Sequence, residues 1–171
     1  MNFFTSDEHY WHQRIIEYCK RPFRDQVDMN NAMIERNNAV VGKNDTVYHL
    51  GDFCLCRKHD VETVYNVVKQ LHGTHILIMG NHDKLTPFEY IDAGFQSVHT
   101  SLLASVCGLP VALVHDPAVA TVKRDLTFLV GHVHDMYTKC LNTVNVGVDV
   151  HNFMPVSEEK IVDLLKHATS A

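Results

Sequence analysis

The sequence predicts an α/β fold, because short apolar runs alternate with helical patterns and clusters of polar side chains fall at the ends of those runs. Residues 2–5, 46–50 and 76–79 read as three buried strands. Between the first two, residues 28–41 carry Met29, Ala32, Met33 and Val40 at near-helical spacing. Between the second and third, residues 59–71 place Val61, Val64, Val67, Val68 and Leu71 on one face, and Gly73 ends the helix. The second half reads as strands at 97–103, 111–114, 126–130 and 143–148, with connections too short for full helices. A last helix over 157–167 is announced by Pro155, a Ser157 cap, and Glu158 and Glu159 in the first turn.

The 171 residues suit one domain spanning 1–171, without an internal repeat, low-complexity tract or linker. A hydrophobic fraction of 46% with 20% charged residues is an ordinary globular balance and excludes a disordered chain. The net charge of −5 argues against stable non-specific nucleic-acid binding, which usually relies on a basic excess. Cys19, Cys54, Cys56, Cys107 and Cys140 form an odd set with no CxxC pair, so reduced thiols in the cytoplasm are expected. The first residues lack the basic and long apolar regions of a signal peptide, and no run approaches the ~18 apolar residues of a membrane span.

The chemistry lies at the strand ends. Asp7-x-His9 follows the first strand, Gly51-Asp52 the second, and Gly80-Asn81-His82-Asp83 the third. His115 follows 111–114, and Gly131-His132-x-His134 follows 126–130. Open α/β sheets place their ligand crevices at the carboxyl ends of strands, so these segments point to one shared site. In extended chain, residues i and i+2 project to the same side, so Asp7 with His9, and His132 with His134, are each expected to aim inward together. Imidazole and carboxylate with one amide and no thiolate suit Mn, Fe, Zn, Ni or Co. Seven candidate ligands are too many for one ion with an open position but fit two ions sharing a carboxylate. Two divalent ions offset only by Asp7 and Asp52 would leave a positive site that attracts phosphate.

In order and spacing, these motifs resemble the calcineurin-like metallophosphoesterase superfamily across nearly the whole chain. Ser6-Asp7-x-His9-x-x-His12, the stretch from Val47 to Phe53, and Asn145-Val146-Gly147-Val148-Asp149 look like its small single-domain microbial and phage members. The resemblance implies a four-layer α/β/β/α sandwich of the metallophosphoesterase type, with two sheets face to face and helices outside. It implies that Asp7, His9 and His134 bind a first metal and that Asn81, His115 and His132 bind a second, with Asp52 bridging. His82 is then the general acid or leaving-oxygen stabiliser, and Asp83 orients it. The implied cofactors are two divalent transition-metal ions, manganese ahead of iron, zinc, nickel or cobalt, with a bridging hydroxide as nucleophile.

The serine/threonine protein phosphatases of that superfamily carry an Arg-Gly pair shortly after the bridging Asp, whereas Asp52 here runs into Phe53-Cys54-Leu55-Cys56-Arg57. The expected substrates are therefore small, nucleotide-like phosphodiesters or phosphomonoesters, ahead of a protein phosphatase role or a metal-bound scaffold with little catalysis. The pairs His82-Asp83 and His115-Asp116 follow strands, which argues against the helical HD phosphohydrolases. The late His-x-His and the short chain argue against an amidohydrolase barrel.

Other residues read as support or surface. His12 is divided between phosphate contact and pocket rim, and His151 is a weak candidate to approach the site. His49 reads as a hydrogen-bonded core histidine. His59, His72, His75, His99 and His167 read as surface or turn positions, and Cys54 and Cys56 as buried thiols near the site. Arg21 and Arg24, and Lys123 with Arg124, are expected at the surface. Specificity is expected to rest on the loops 19–28, 84–94 and 117–125, and oligomeric state has no signature in the sequence.

Overall fold

The computed structural model describes residues 1–122 and 126–166, so Lys123, Arg124 and His167 lie outside the described residues. Among the described residues, two five-stranded mixed sheets and five α-helices form an α/β fold. The first sheet has the order β10-β1-β2-β3-β4, from Val156–Ser157, Asn2–Thr5, Thr46–His49, Thr74–Ile78 and Ser97–His99. Strands β1 to β4 run parallel, and β10 pairs antiparallel with β1. Helices α1 (Gln13–Tyr18) and α2 (Gln26–Val40) connect β1 to β2, α3 (Val61–Val68) connects β2 to β3, and α4 (Pro87–Asp92) connects β3 to β4. The second sheet has the order β5-β6-β7-β9-β8, from Leu102–Val106, Leu109–Leu113, Thr127–Val130, Thr143–Asn145 and Lys139–Cys140. Its β6, β7 and β9 are parallel.

Period-two alternation assigns the faces of the first sheet. Leu77 joins an apolar cluster with Ile15, Met29, Met33, Val64 and Val67 of the helices. Phe4, Leu50 and Ile78 instead share a cluster with Val111, Leu113, Leu129 and Val144 of the second sheet. Helix α5 (Glu158–Lys166) adds Ile161 to that shared cluster, and Ser157 Oγ caps it by accepting from Lys160 N at 3.3 Å. The other face of the second sheet carries Ala112, Val114, Phe128 and Val130, packed with Ala120 of a 3-10 segment at Pro117–Val122.

The expected strand at 97–103 is divided between the sheets, β4 ending at His99 and β5 starting at Leu102. The chain then reverses through Cys107 and Gly108, at φ 47° and 84°, the left-handed pair that a tight hairpin between twisted strands requires. Helices α1 and α4 escape the periodicity argument because each has six residues, too few to repeat an apolar face. Helix α4 is set by a capping box in which Thr86 and Glu89 satisfy each other's backbone N–H groups. The Thr86 N–H, followed by the His59 side chain and the Thr86 hydroxyl, holds the Glu89 carboxyl down to about 2. A carboxyl with a folded pKa below its unfolded value of 4.5 contributes stability above that pH and loses it as pH falls toward 2. Glu89→Gln should therefore lower the thermal midpoint at neutral pH, and the gap from the native protein should narrow as pH falls below 4.5; a gap unchanged with pH in thermal melts would contradict this.

Candidate metal centre

Parallel pairing in register brings the carboxyl ends of β1, β2 and β3 level, with Thr5 opposite His49 and His49 opposite Leu77. The second sheet does the same for β6 and β7, with Leu113 opposite Leu129. The segments that follow these five strands all meet at one place.

Two groups of side chains converge there. In one, single ligand atoms of Asp7, His9 and His134 lie within 4.8 Å of one another, and in the other those of Asp52, His115 and His132 do. Asn81 belongs with the second group, its Oδ1 lying 3.0 Å from His115 Nε2 and 3.1 Å from His132 Nδ1. The two imidazole nitrogens are 3.2 Å apart. Donors each about 2.1 Å from one ion stand roughly 3.0–3.4 Å apart at octahedral to tetrahedral angles, so these spacings suit a shared cation. Asp52 Oδ2 lies 3.6 Å from His9 Nε2 and 3.5 Å from His115 Nε2, between the two groups.

The electrostatics ask for a cation as well. His9 is buried, both its ring nitrogens lack a hydrogen-bond partner, and burial followed by nearby Arg21 holds its pKa down to about 2. A neutral imidazole with free lone pairs is the form that binds metal. Burial pushes Asp7 up to about 6 and outweighs the lowering pull of His115 and His134. Burial alone would lower His134, but Asp149, Cys19 and Asp7 outweigh it and carry its pKa to about 10, which marks a region of negative potential. The donor set thus fits two divalent ions.

Local geometry departs from the extended-chain expectation. Asp7, His9, Asp52, His132 and His134 all adopt left-handed backbone, with φ between 46° and 71°. Each i, i+2 pair therefore aims inward through two left-handed residues and not through the alternation of a strand. Such conformations are uncommon outside glycine, and least so for Asn, Asp and His. Close approach fixes the glycines that precede the ligands. A Cβ on Gly51, at φ 93°, would stand 2.7 Å from His115 Nδ1 and 2.5 Å from the Gly80 nitrogen. One on Gly131 would collide with Ser6 Oγ and stand 2.7 Å from Asp7 Oδ2. That proximity lets the His132 N–H donate to both Asp7 oxygens, at 3.0 and 2.9 Å.

Hydrogen bonds behind the donors set their orientation. His115 Nδ1 is 2.7 Å from the Leu50 carbonyl, leaving Nε2 toward Asn81 and His132. His134 Nδ1 is 2.9 Å from Asp149 Oδ2, and Asn145 Nδ2 donates to the His134 carbonyl at 2.7 Å. The Cys19 thiol also neighbours His134 and Asp149. Neither Asp149 nor Asn145 was singled out from the sequence as a site residue, although their stretch 145–149 figured in the family resemblance.

Several expectations need correction. Asp83 does not face His82. Its Oδ2 accepts from the N–H groups of Asp52 and Gly80 at 2.9 and 2.8 Å, and its Oδ1 from Phe53 N and Tyr90 OH, both at 3.1 Å. A carboxylate offers about four lone-pair sites, so its capacity is filled. His82 is exposed, donates its backbone N–H to Asp52 Oδ1 at 2.8 Å, and sets its ring edge-on to His9 at 5.5 Å between centroids. His75 is buried and not at a surface, 3.0 Å from His49 Nε2, while His49 Nδ1 is 2.6 Å from Glu8 Oε1. Arg21 is likewise buried, because it pairs with Asp149 and donates to the Asp7 and Glu8 carbonyls, whereas Arg24 is exposed beside Asp25. His12 caps α1 by accepting from Ile15 N at 2.9 Å and stands edge-on to His9. His151 bonds the Asn145 carbonyl at 2.7 Å.

The centre opens into two shallow concavities that meet at His132, of about 380 and 430 Å³. The larger is lined by His9, His12, Tyr18, His82 and Met136 among others, the smaller by Asn81, Ser101, His115 and Asp116 among others. Both fall in the lower range of small-molecule sites. No helix among the described residues is long and apolar enough to cross a membrane.

A sequence profile described as calcineurin-like phosphoesterase matches residues 3–170. An uncharacterized protein of Methanocaldococcus jannaschii is 33% identical over 173 residues, covering 96% of this chain and 90% of that one. The crystal structure of a protein of unknown function from Aquifex aeolicus superposes with a TM-score of 0.77 at 25% identity, covering 96% of this chain and 98% of the other.

Proposed function

Because the chain belongs to the calcineurin-like phosphoesterase family, we propose that it hydrolyses small phosphodiesters or phosphomonoesters, nucleotide-like ones foremost, at a centre of two divalent ions. Metal-dependent phosphoester hydrolysis is the chemistry of that family, and the candidate ligand clusters are those such chemistry needs. The observation that carries the two-ion reading is the position of Asp52 Oδ2, 3.6 Å from His9 Nε2 and 3.5 Å from His115 Nε2. On this reading Asp7, His9 and His134 hold one ion, Asn81, His115 and His132 hold the other, and Asp52 serves both. When bound, the ions activate water and stabilise charge developing on the phosphoryl oxygens.

The chain's own residues do the rest. Exposed His82, anchored through its backbone to Asp52, is the group able to give a proton to the leaving oxygen. Removing its side chain should cost about 10²–10⁴-fold in rate, the range of general acid catalysis. The two concavities flanking His132 suit a phosphate with a substituent on either side. The chain lacks an Arg-Gly pair after Asp52, which favours small esters over phosphoproteins. Manganese is the proposed physiological metal, ahead of iron, zinc, nickel or cobalt: the carboxylate and amide oxygens suit it, while the imidazoles alone would suit zinc, iron or nickel as well.

Turnover of bis-p-nitrophenyl phosphate, p-nitrophenyl phosphate and a nucleotide panel with added Mn²⁺ tests the reading, with metal content measured on the same preparation. Two equivalents of metal and turnover abolished by a chelator are expected. Protein that holds both ions and turns over none of these esters would rule it out.

A further inference from the structure

Arg21 and Asp149 form a pair close to the centre, their side chains only 0% and 3% exposed. A buried ion pair is seldom more stabilising than apolar side chains of the same volume, so its presence calls for another reason. Every N–H of the guanidinium has a contact. Nε and Nη2 donate to Asp149 Oδ1 and Oδ2, both at 2.8 Å, as a two-pronged clamp. Nη2 also donates to the Asp7 carbonyl at 2.7 Å, and Nη1 to the Glu8 carbonyl at 2.8 Å and to Met29 Sδ at 3.5 Å. The Phe153 ring lies 5.7 Å from the guanidinium carbon.

These contacts fall on one half of the centre. The Asp7 and Glu8 carbonyls belong to the peptide units between Asp7 and His9, so Arg21 pins the chain between two left-handed residues at φ 57° and 51°. Asp149 passes the constraint on by accepting from His134 Nδ1 at 2.9 Å, which leaves Nε2 as the nitrogen that a metal would take in exchange for its proton. Among the described residues, no side-chain hydrogen bond of either residue reaches Asn81, His115 or His132. His115 is oriented separately, by the Leu50 carbonyl at 2.7 Å.

We infer that Arg21 and Asp149 are positioning residues for the first ion: they hold Asp7, His9 and His134 in ligand geometry and make no hydrogen bond to the side chains that would hold the second. The pairing also cancels the charge of Arg21, which unpaired would repel a cation beside Asp7. Lys could keep the charge, but its compact ammonium cannot span both Asp149 oxygens and two carbonyls. This inference rests on the two-ion reading, and the test separates the two. Native protein that binds fewer than two equivalents of Mn²⁺ would defeat that reading, whatever the variants do.

The experiment is equilibrium dialysis of full-length native, D149N and R21K protein against Mn²⁺, with metal quantified and electron paramagnetic resonance recorded. In both variants one equivalent should bind as in the native protein and the other about 10–100-fold more weakly, the usual effect of removing a group behind a metal ligand. At Mn²⁺ levels that saturate the native pair, the spin-coupled spectrum should give way to that of isolated ions. Circular dichroism and thermal melting of the metal-free proteins separate positioning from folding. Two equivalents at native affinity in D149N, equal weakening of both ions, or both variants unfolding when metal-free would each overturn the inference.

Discussion

Replacing Asp52 by Asn should leave a folded protein that has lost roughly three orders of magnitude in metal-dependent turnover. The substitution keeps shape and an oxygen to accept the His82 N–H, which in the native chain donates to Asp52 Oδ1 at 2.8 Å. Asn is also tolerated in left-handed backbone, so φ 56° at this position adds no strain. What is lost is the charged oxygen facing both His9 and His115. A metal ion supplies several kcal/mol of transition-state stabilisation, and about 4 kcal/mol corresponds to about 10³-fold in rate. Metal content should fall together with kcat, and the metal-free variant should melt no lower than the metal-free native protein, since a buried carboxylate has been neutralised. Near-native turnover in folded D52N would remove Asp52 from the centre.

The second large effect belongs to Asp83 and is expected in stability. Asp83→Ala takes the acceptor from the N–H groups of Asp52, Phe53 and Gly80 and from the Tyr90 hydroxyl in a buried setting. Each buried donor left unpaired costs about 1–3 kcal/mol, so a total on the order of 4 kcal/mol or more is expected. For a chain of this length that lowers the melting midpoint by roughly 10 °C or more. His82→Ala should behave in the opposite way, with near-native melting and depressed turnover, because its ring is exposed. If Asp83→Ala melted like the native protein and lost only rate, orientation of His82 would again be its better explanation.

The contrast between these two neighbours shows what a sequence can carry. Asp7, His9, Asp52, Asn81, His115, His132 and His134 were legible because each follows an apolar run, and parallel strands in register bring such positions together. Which way a side chain turns was not legible. Asp83 stands next to His82 in sequence, yet its carboxylate folds back to bind the turn at Gly80 and the chain after β2. Arg21 has no apolar periodicity around it, and its burial depends on a carboxylate 128 residues away. His75 reads as a surface or turn residue for a similar reason, since its partner His49 sits on the adjacent strand. The division of 97–103 between two sheets depends on how those sheets pack, and no local pattern encodes it.

The left-handed backbone at Asp7, His9, Asp52, His132 and His134 also limits how such a centre can change over generations of mutation. At each of these positions the main chain screens newcomers before any metal does. Gly passes most readily and Asp, Asn and His next, whereas β-branched residues are genuine outliers there. Drift there favours glycine, which removes a ligand, or another short nitrogen or oxygen donor, so the centre adjusts charge and proton affinity most easily; a thiolate is disfavoured but not barred, since Cys107 itself stands at φ 47°. Variety in what is hydrolysed then has its room at the rim, where Tyr18 at the end of α1 and Met136 stand exposed beside the opening.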